Sequence, residues 1–567
     1  MSSVQPSDGS PSTSSNRWTV RFKATVKVVV DHAVKHTGVG IVCAVAYFDP
    51  GNWGVDLQAG SQFGYKLLFI VLLSGLFAVF LQSLASKLGI VTGLDLASHC
   101  RLLLYNRPKH TRLFRWLALY PLYALSEIAI ISTDLAELLG SAIALNLLFP
   151  KLPLWAGVLL TASDVLLILA LEDPLGGRPV KMFELIIAAL VIAVLICMCI
   201  IISRVSVNWG DAFDGYVPSK TIFEHGGLYT SVGILGATVM PHSLFLGSAL
   251  ATQDRVSPRS AKPLAQSSDS IDSMSTATIS RWHTTPRDWW RSFVSNFRVA
   301  PLDPTAEPKS HADRENNSLS FVKAHLGHGI ADIVISLLGF AVLINSLILI
   351  LASAVFYYGQ DGEDGSHATA SLFDAYDLIG SVVGRGAAIT FALALLCAGQ
   401  SSSIIATVAG QTVSEGFLRW RVPPILRRFF TRLLGLIPSM TVAIIVGKAG
   451  IDTMLVASQV VLSIVLPFIV FPLVWLTSSK SIMRVRKPRP EEIQVQVKDD
   501  DTTSPASTPG QSSVDIRRED TDLEQAEDEM VDFSNGRIVA AIGYAIWLIV
   551  VIANGYVLIS LMLGEGS

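Results

Sequence analysis

The motif Asp49-Pro50-Gly51-Asn52 interrupts an apolar stretch at residues 37–64, and Met240-Pro241-His242 interrupts a second apolar stretch at 227–252. Proline breaks the helical hydrogen-bond ladder, and a backbone that unwinds inside lipid survives only where protein or a water-filled cavity satisfies its polar groups. Paired interruptions at corresponding places in two halves of a membrane protein indicate a transporter's binding site. The two motifs therefore predict both a fold and the position of its site.

The chain around these breaks has the composition of a membrane protein. It is 51% hydrophobic and 16% charged, whereas soluble domains carry about 25% charge. At about 20 residues per crossing, the apolar stretches predict about eleven helices and an all-α polytopic fold, which excludes a soluble enzyme. The predicted stretches are 37–64, 67–91, 115–149, 152–171, 182–204, 227–252, 327–357, 384–412, 430–449, 452–477 and 537–562.

Basic residues in the loops predict the orientation of the chain, since cytosolic loops are enriched in Lys and Arg. The even-numbered loops are basic, with Arg107 and Arg112 after the second helix and Arg427 and Arg428 after the eighth. We therefore expect a cytosolic N-terminus in a multi-pass protein of the plasma membrane or an endosomal or vacuolar membrane. The first break lies in the first apolar stretch, so we expect no cleaved signal peptide.

Three polar segments divide the predicted helices. Residues 1–25, 253–320 and 480–535 are rich in Ser, Thr, Pro or charge, and this composition predicts disordered cytosolic segments. They are either solvated linkers or regulatory surfaces for phosphorylation and ubiquitin-driven trafficking. The remaining ranges are 37–252 (five helices of a first repeat and helix 6), 327–477 (helices 7–10) and 537–562 (helix 11). A net charge of −3 indicates no nucleic-acid partner.

Asp49 and Asn52 are candidate metal ligands at the first break. A carboxylate in the middle of a membrane helix costs roughly 2.5–3.5 kcal/mol on insertion scales, so Asp49 needs a partner. Asp-Pro-Gly-Asn is also favourable turn chemistry, and Asp49 could serve as a helix cap. The two roles are compatible, because a break inside the membrane needs a cavity in either case. Asn52, three residues on, can direct its amide oxygen to the same point.

Met240 is the candidate ligand at the second break. A thioether is a soft ligand and a poor choice for Mg²⁺ or Ca²⁺, which prefer oxygen. One sulfur among oxygens indicates Mn²⁺ or Fe²⁺, with Cd²⁺ as an intruder. The carbonyl of Ala237, near the negative end of the preceding half-helix, would add an oxygen.

Three acids on the third predicted helix form a stripe. Glu127, Asp134 and Glu137 are spaced seven and three residues apart, which places them on one helix face. Facing lipid they would cost on the order of 8–10 kcal/mol, so the stripe must face the interior. It is either a proton relay or a buried ion-pair network in which Arg432 neutralises one acid. An unperturbed imidazole titrates near neutral pH, so His242 either suits proton exchange or is a hydrogen bonder at a helix end.

These residues resemble the Nramp family (natural resistance-associated macrophage proteins) of proton-coupled divalent-metal transporters. The resemblance covers about residues 37 to 477, and the long cytosolic insertions are similar to those of fungal members. It is carried by ordered motifs: Asp49-Pro50-Gly51-Asn52, Glu127 with Asp134-Leu135-Ala136-Glu137, Met240-Pro241-His242-Ser243, Ala398-Gly399-Gln400-Ser401-Ser402 with Gly410-Gln411 and Glu415-Gly416-Phe417, and Ser458-Gln459-Val460-Val461-Leu462-Ser463 with Leu466-Pro467-Phe468.

The resemblance implies a LeuT-type fold of two inverted five-helix repeats, with discontinuous helices 1 and 6 and an added eleventh helix. It implies metal ligation by a set that comprises Asp49, Asn52, Met240 and the Ala237 carbonyl. Gln459 matches a position that approaches the metal on occlusion, and Asn345 matches a polar gate. The residues that match the family's proton path are Asp134, Glu137 and Arg432, with Glu127 and His242 as further members.

One position departs from many relatives, which carry a second histidine where this chain has Gly247. We therefore expect His242 or the acids to carry protons without it. The function expected is a symporter that imports Mn²⁺ and Fe²⁺ with H⁺, with no cofactor and no catalytic residues. Two alternatives remain: a carrier of Mg²⁺ or trivalent metal, against which Met240 counts, and a non-transporting metal sensor, which would need a large folded cytosolic domain.

Overall fold

A computed structural model describes residues 38–171, 181–224, 226–255, 310–359, 370–419, 424–487 and 530–563. These residues form helices and one two-stranded antiparallel sheet. The segment 1–25 and the interiors of 253–320 and 480–535, which were predicted to be disordered, lie outside the described residues.

The first half of the chain contains a broken helix followed by four longer ones. Its helices are α1 (Val39–Val45), α2 (Pro50–Phe63), α3 (Leu68–Thr92), α4 (Leu96–Leu104), α5 (Tyr120–Leu148), α6 (Leu154–Leu171) and α7 (Lys181–Ile202). A short helix (Thr111–Phe114) and a π-helical turn (Arg115–Leu119) lead directly into α5.

The second half repeats the pattern of a broken helix followed by long ones. Its helices are α8 (Gly227–Thr238), α9 (Pro241–Leu250), α10 (Leu319–Ser336), α11 (Leu343–Ala352), α12 (Leu372–Val382), α13 (Arg385–Leu418), α14 (Pro424–Thr441), α15 (Lys448–Ser478) and α16 (Arg537–Leu563). A π-helical turn joins α10 to α11. Strands β1 (Arg484–Arg486) and β2 (Met530–Asp532) pair with Val485 opposite Val531.

The predicted crossings are all helical. By length and apolarity, nine helical runs in the described residues could span a membrane. One of them, Pro50–Thr92, contains both α2 and α3, and the part of α6 that meets the same criterion of apolarity, Leu154–Ser163, is shorter. The seventh predicted helix begins earlier than expected, at Leu319, because Ser318 caps it by accepting a hydrogen bond from the Phe321 N–H at 3.3 Å.

The predicted disorder is wrong at the ends of two segments. A turn at His311–Asp313 precedes α10, and both strands lie within the range 480–535. The Asn316 side chain donates to the carbonyls of Ile482 (2.7 Å) and Arg484 (2.6 Å), which ties the two segments together. Low hydrophobicity predicts disorder, but composition carries no information about hydrogen bonds between residues so far apart in sequence.

Helix α5 and the two broken helices form the centre of the molecule. Helices α13, α15, α14 and α6 pack around α5. The half-helix α2 contacts α11, α8 and α15, and α8 also contacts α15. This packing places the two breaks beside the acidic helix and against α15.

Candidate metal and proton site

At the first break, Asp49 serves as a cap and still has a free oxygen. It is the N-cap of α2, and its Oδ1 accepts hydrogen bonds from the backbone N–H of Asn52 at 2.8 Å and from the Asn52 side chain at 3.0 Å. Its Oδ2 is fully buried and has no hydrogen-bond partner in the described part of the chain. The carboxylate can therefore cap the helix with one oxygen and ligate a cation with the other.

The remaining backbone of the first break is held by side chains. The Tyr47 carbonyl accepts a hydrogen bond from the Asn345 amide of α11 at 2.7 Å. The Phe48 carbonyl accepts one from the Trp53 indole at 3.2 Å. These bonds satisfy groups that would be costly inside a membrane, and they fix the direction of the chain between α1 and α2.

At the second break, the sequence leaves a carbonyl without its helical donor. The N–H that would bond the Ala237 carbonyl belongs to the residue four positions later, Pro241, which has no N–H. Ala46 has the same relation to Pro50 at the first break. The Ala46 carbonyl was not among the predicted ligands, although the shared Ala-x-x-x-Pro spacing could have identified it as a second carbonyl without a helical donor.

Met240 lies at the start of α9, fully buried, as its N-cap. Its side chain makes no capping hydrogen bond. The thioether is therefore not engaged in holding the break, and the proline that follows sets the start of the helix.

Gln459 of α15 lies between the two breaks. A Cβ atom on Gly51 of the first break would overlap the Gln459 side-chain nitrogen. A Cβ atom on Gly236, beside Ala237, would overlap the Gln459 backbone oxygen. Both glycines are thus required by close approach, and Gln459 touches both halves of the predicted metal site.

Several buried oxygens around the breaks have no hydrogen-bond partner among the described residues: Asp49 Oδ2, Asn345 Oδ1, Gln459 Oε1 and Thr238 Oγ1. Unpartnered buried polar atoms are costly and rare, and several acceptors in one region suit a cation. The predicted ligands Asp49, Asn52 and Met240 are at most 1% exposed, so solvent does not reach their side chains. The described ranges contain no group of three or more His, Cys, Asp or Glu side chains that could hold a metal. Apart from the Asp49 carboxylate, the candidate ligands are therefore amide, carbonyl and thioether groups.

The acidic stripe on α5 faces the interior and divides into two environments. Asp134 pairs with Arg432 of α14, whose guanidinium also donates to the Ser403 hydroxyl. Glu137 is fully buried, and neither of its carboxylate oxygens has a hydrogen-bond partner in the described residues. The ion-pair alternative thus applies to Asp134, and Glu137 is buried without an ion-pair partner among the described residues.

His242 connects the second break to α5, whereas Glu127 lies farther along the stripe. The His242 Nδ1 is 3.3 Å from the hydroxyl of Thr133, the neighbour of Asp134. Its Nε2 is buried without a partner among the described residues. Glu127 lies seven residues before Asp134, about 10 Å along the helix.

Gly247 stands where many relatives have a second imidazole, and a neighbour fills that space. A Cβ on Gly247 would overlap the Gln82 amide nitrogen and approach the Cys43 sulfur to 3.1 Å. The Gln82 oxygen in turn accepts a hydrogen bond from the Tyr47 hydroxyl at 3.1 Å. An uncharged network of the Gln82 amide and the Tyr47 hydroxyl therefore lies beside the first break.

Comparisons with known proteins show the family of this chain. The family model described as "Natural resistance-associated macrophage protein-like" matches residues 40–283 and 307–492. The manganese transporter pdt1 of Schizosaccharomyces pombe is 44% identical over 80% of this chain and 76% of its own. The iron transporter SMF3 of Saccharomyces cerevisiae is 37% identical over 94% of this chain and 98% of its own.

Solved structures show the same architecture. A crystal structure of a manganese transporter from Eremococcus coleocola superposes with a TM-score of 0.62 at 28% identity, covering 92% of this chain and 85% of that one. The predicted all-α polytopic fold with discontinuous helices 1 and 6 is confirmed.

Proposed function

The chain belongs to the Nramp family, a family of multi-pass membrane transporters and not of enzymes, and from that premise we propose that it is a proton-coupled symporter that imports Mn²⁺ and Fe²⁺ into the cytosol. Relatives named as manganese and iron transporters support this choice of cargo. The observation that carries the proposal is the Asp49 carboxylate, which is buried at a break with one oxygen capping α2 and the other unpartnered.

Metal binding begins as the ion sheds water onto oxygen ligands. Asp49 supplies the charge, and Asn52 and the carbonyls of Ala46 and Ala237 supply neutral oxygen. Met240 supplies the sulfur that disfavours Mg²⁺ and Ca²⁺. Gln459, which touches both breaks, completes the shell as α15 and the half-helices close on the ion.

Proton transfer follows a separate route along α5. A proton enters at Asp49 or His242 and passes to Asp134, near the Thr133 hydroxyl that contacts His242. From Asp134 it moves to Glu137, while the Arg432 guanidinium holds Asp134 in place. Asn345 gates the first break by its bond to the Tyr47 carbonyl. Rocking of one bundle then closes the outer path and opens the inner one.

The location and regulation form part of the same proposal. The N-terminus is cytosolic, and the membrane is the plasma membrane or an endosomal or vacuolar one, as the basic even-numbered loops support. The cytosolic segments between helices are the surfaces that ubiquitin or trafficking machinery would contact.

Uptake into proteoliposomes with an imposed pH gradient tests the proposal. We expect radioactive Mn²⁺ to enter faster with acid outside, with acidification of the lumen reported by an enclosed pH dye. Fe²⁺ should compete, and Ca²⁺ and Mg²⁺ should not. Asp49→Asn liposomes serve as the control for leak. Absence of metal flux would overturn the transporter assignment, whereas Mn²⁺ flux without lumenal acidification would overturn only the proton coupling. Inhibition by Mg²⁺ in preference to Fe²⁺ would favour the carrier of harder ions.

A further inference from the structure

A second carboxylate lies on the same face of α2 as the proposed metal ligands. Asp49, Asn52 and Asp56 are spaced three and four residues apart, which places them on one side of the helix. Asp56 is 2% exposed, and its Oδ2 has no hydrogen-bond partner in the described residues. Seven residues of helix separate it from Asp49 by about 10 Å, toward the outer side in the proposed orientation.

The neighbours of this face are on α11. At the break, Asn345 binds the Tyr47 carbonyl. At the outer end, a Cβ on Gly60 would approach the Leu349 carbonyl oxygen to 2.5 Å. The part of α11 between Asn345 and Leu349 therefore lies along the part of α2 that contains Asp56.

This part of α11 carries further unpartnered oxygens. Asn345 Oδ1 and Ser346 Oγ are buried without a hydrogen-bond partner among the described residues. A buried carboxylate oxygen without a hydrogen-bond partner is unfavourable unless a cation or a proton is present for part of the time. The position, on the face that leads to Asp49, favours the cation.

We propose that Asp56 forms an entry site for a partly hydrated divalent cation, which then moves to the site at Asp49. The inference rests on the proposed function and adds a step before it. Two divalent cations about 10 Å apart repel each other strongly in a protein interior, so the two sites are filled in sequence rather than together. The entry site offers only oxygen, so it binds Ca²⁺ about as weakly as Mn²⁺. At similar concentrations Ca²⁺ therefore leaves Mn²⁺ uptake nearly unchanged, and discrimination comes later, at Met240.

Initial-rate uptake of Mn²⁺ into proteoliposomes tests the entry site. Asp56→Asn keeps the shape of the side chain and removes its charge. We expect kcat/KM to fall by about tenfold, because KM rises while kcat stays the same. Asp56→Glu should recover most of the loss, and Ser346→Ala should show a smaller loss of the same kind. Asp214→Asn, which removes an exposed carboxylate from the short helix Trp209–Asp214 that precedes α8, is the matched control and should behave as wild type.

A binding measurement separates an entry site from general steering. In Asp49→Ala protein in nanodiscs, the loss of free Mn²⁺ signal in electron paramagnetic resonance should reveal residual weak binding. The double variant Asp49→Ala/Asp56→Asn should lose it, and added Ca²⁺ should displace it. If Asp56→Asn does not fold, Ser346→Ala in the same background carries the test.

The outcomes distinguish this inference from its premise. Wild-type protein that neither binds nor transports Mn²⁺ overturns the proposed function, and the entry site with it. If wild-type protein transports Mn²⁺ while Asp56→Asn retains its kcat/KM, or if residual binding is the same with and without Asp56, only the entry site is wrong.

Discussion

The two breaks differ in how they are held. At the first break, three side chains bind the unwound backbone: Asp49 caps α2, Asn345 holds the Tyr47 carbonyl and Trp53 holds the Phe48 carbonyl. At the second break, Met240 makes no capping bond, and the start of α9 follows from Pro241. The difference separates two tasks. In the proposed function, the first break fixes a charge that would supply affinity, and the second presents a sulfur that would supply selectivity.

Removing the charge at the first break should have the largest effect. Asp49→Ala deletes both the cap and the ligand, and loss of a buried charged partner costs roughly 3 kcal/mol, or about 100-fold in uptake of Mn²⁺. Asp49→Asn retains an oxygen that can accept from the Asn52 N–H but carries no charge. We expect it to be almost as inactive while unfolding at a higher temperature than Asp49→Ala. Active Asp49→Asn protein would show that the carboxylate matters as a cap only.

Removing the sulfur at the second break should change selectivity more than rate. Met240→Ala should retain Mn²⁺ transport, and Ca²⁺ or Mg²⁺ should become competitors with inhibition constants lowered by roughly tenfold. Met240→Leu keeps the side-chain volume and removes only the sulfur, so it separates chemistry from packing. Continued exclusion of Ca²⁺ by both variants in a competition assay would refute the division of tasks between the breaks.

Loosening the first break without touching its charge should have an intermediate effect. Asn345→Ala leaves the buried Tyr47 carbonyl without a donor, which costs about 1–3 kcal/mol, and uptake should fall several-fold. Asn146→Ala is a matched control, because the Asn146 amide also donates to a backbone carbonyl, that of Leu152, at 2.8 Å. Equal losses of uptake in the two variants would mean that Asn345 acts through general stability.

The smallest effect should come from the indole at the first break. Trp53→Phe removes the bond to the Phe48 carbonyl but keeps an aromatic ring against Phe391, whose centroid is 5.3 Å away. We expect a loss of about 1 kcal/mol in stability and a change in uptake within about twofold. A tenfold fall in uptake at unchanged thermal stability would show that the rigidity of the first break depends on this single bond.

Features set by local chemistry were predictable from the sequence. The prolines and the lengths of the apolar stretches predicted the helices and both breaks. The spacing of the three acids and the cost of exposing them to lipid predicted that their stripe, which includes Asp134, faces the interior. The part of the fold that depends on distant partners was not predictable in this way. The start of α10, the tie between Asn316 and β1, and the filling of the space at Gly247 by Gln82 all arise from tertiary contacts.

The residues of the candidate site also divide into those set by local chemistry and those set by tertiary contacts. Asp49, Asn52 and Met240 were identified by their chemistry at the breaks, whereas Gln459 and Asn345 came only from the resemblance to a family. Polar residues are common on long helices, and only the packing of α15 and α11 against the breaks distinguishes these two. Asp56 was not identified from the sequence, because a single carboxylate in a helix resembles a solvated one until its burial is known.

The Ala-x-x-x-Pro spacing at both breaks has a consequence for genetic screens. An oxygen that belongs to the backbone cannot be deleted by changing the side chain that bears its number, so a scan of substitutions at Ala237 or Ala46 leaves the atom in place. The sensitive positions are instead Pro241 and Pro50, four residues later. Any other residue there has an N–H that can donate the missing helical hydrogen bond to the carbonyl. A mutational map of this protein would therefore show the effect of losing these two carbonyl oxygens at the prolines and not at the alanines that carry them.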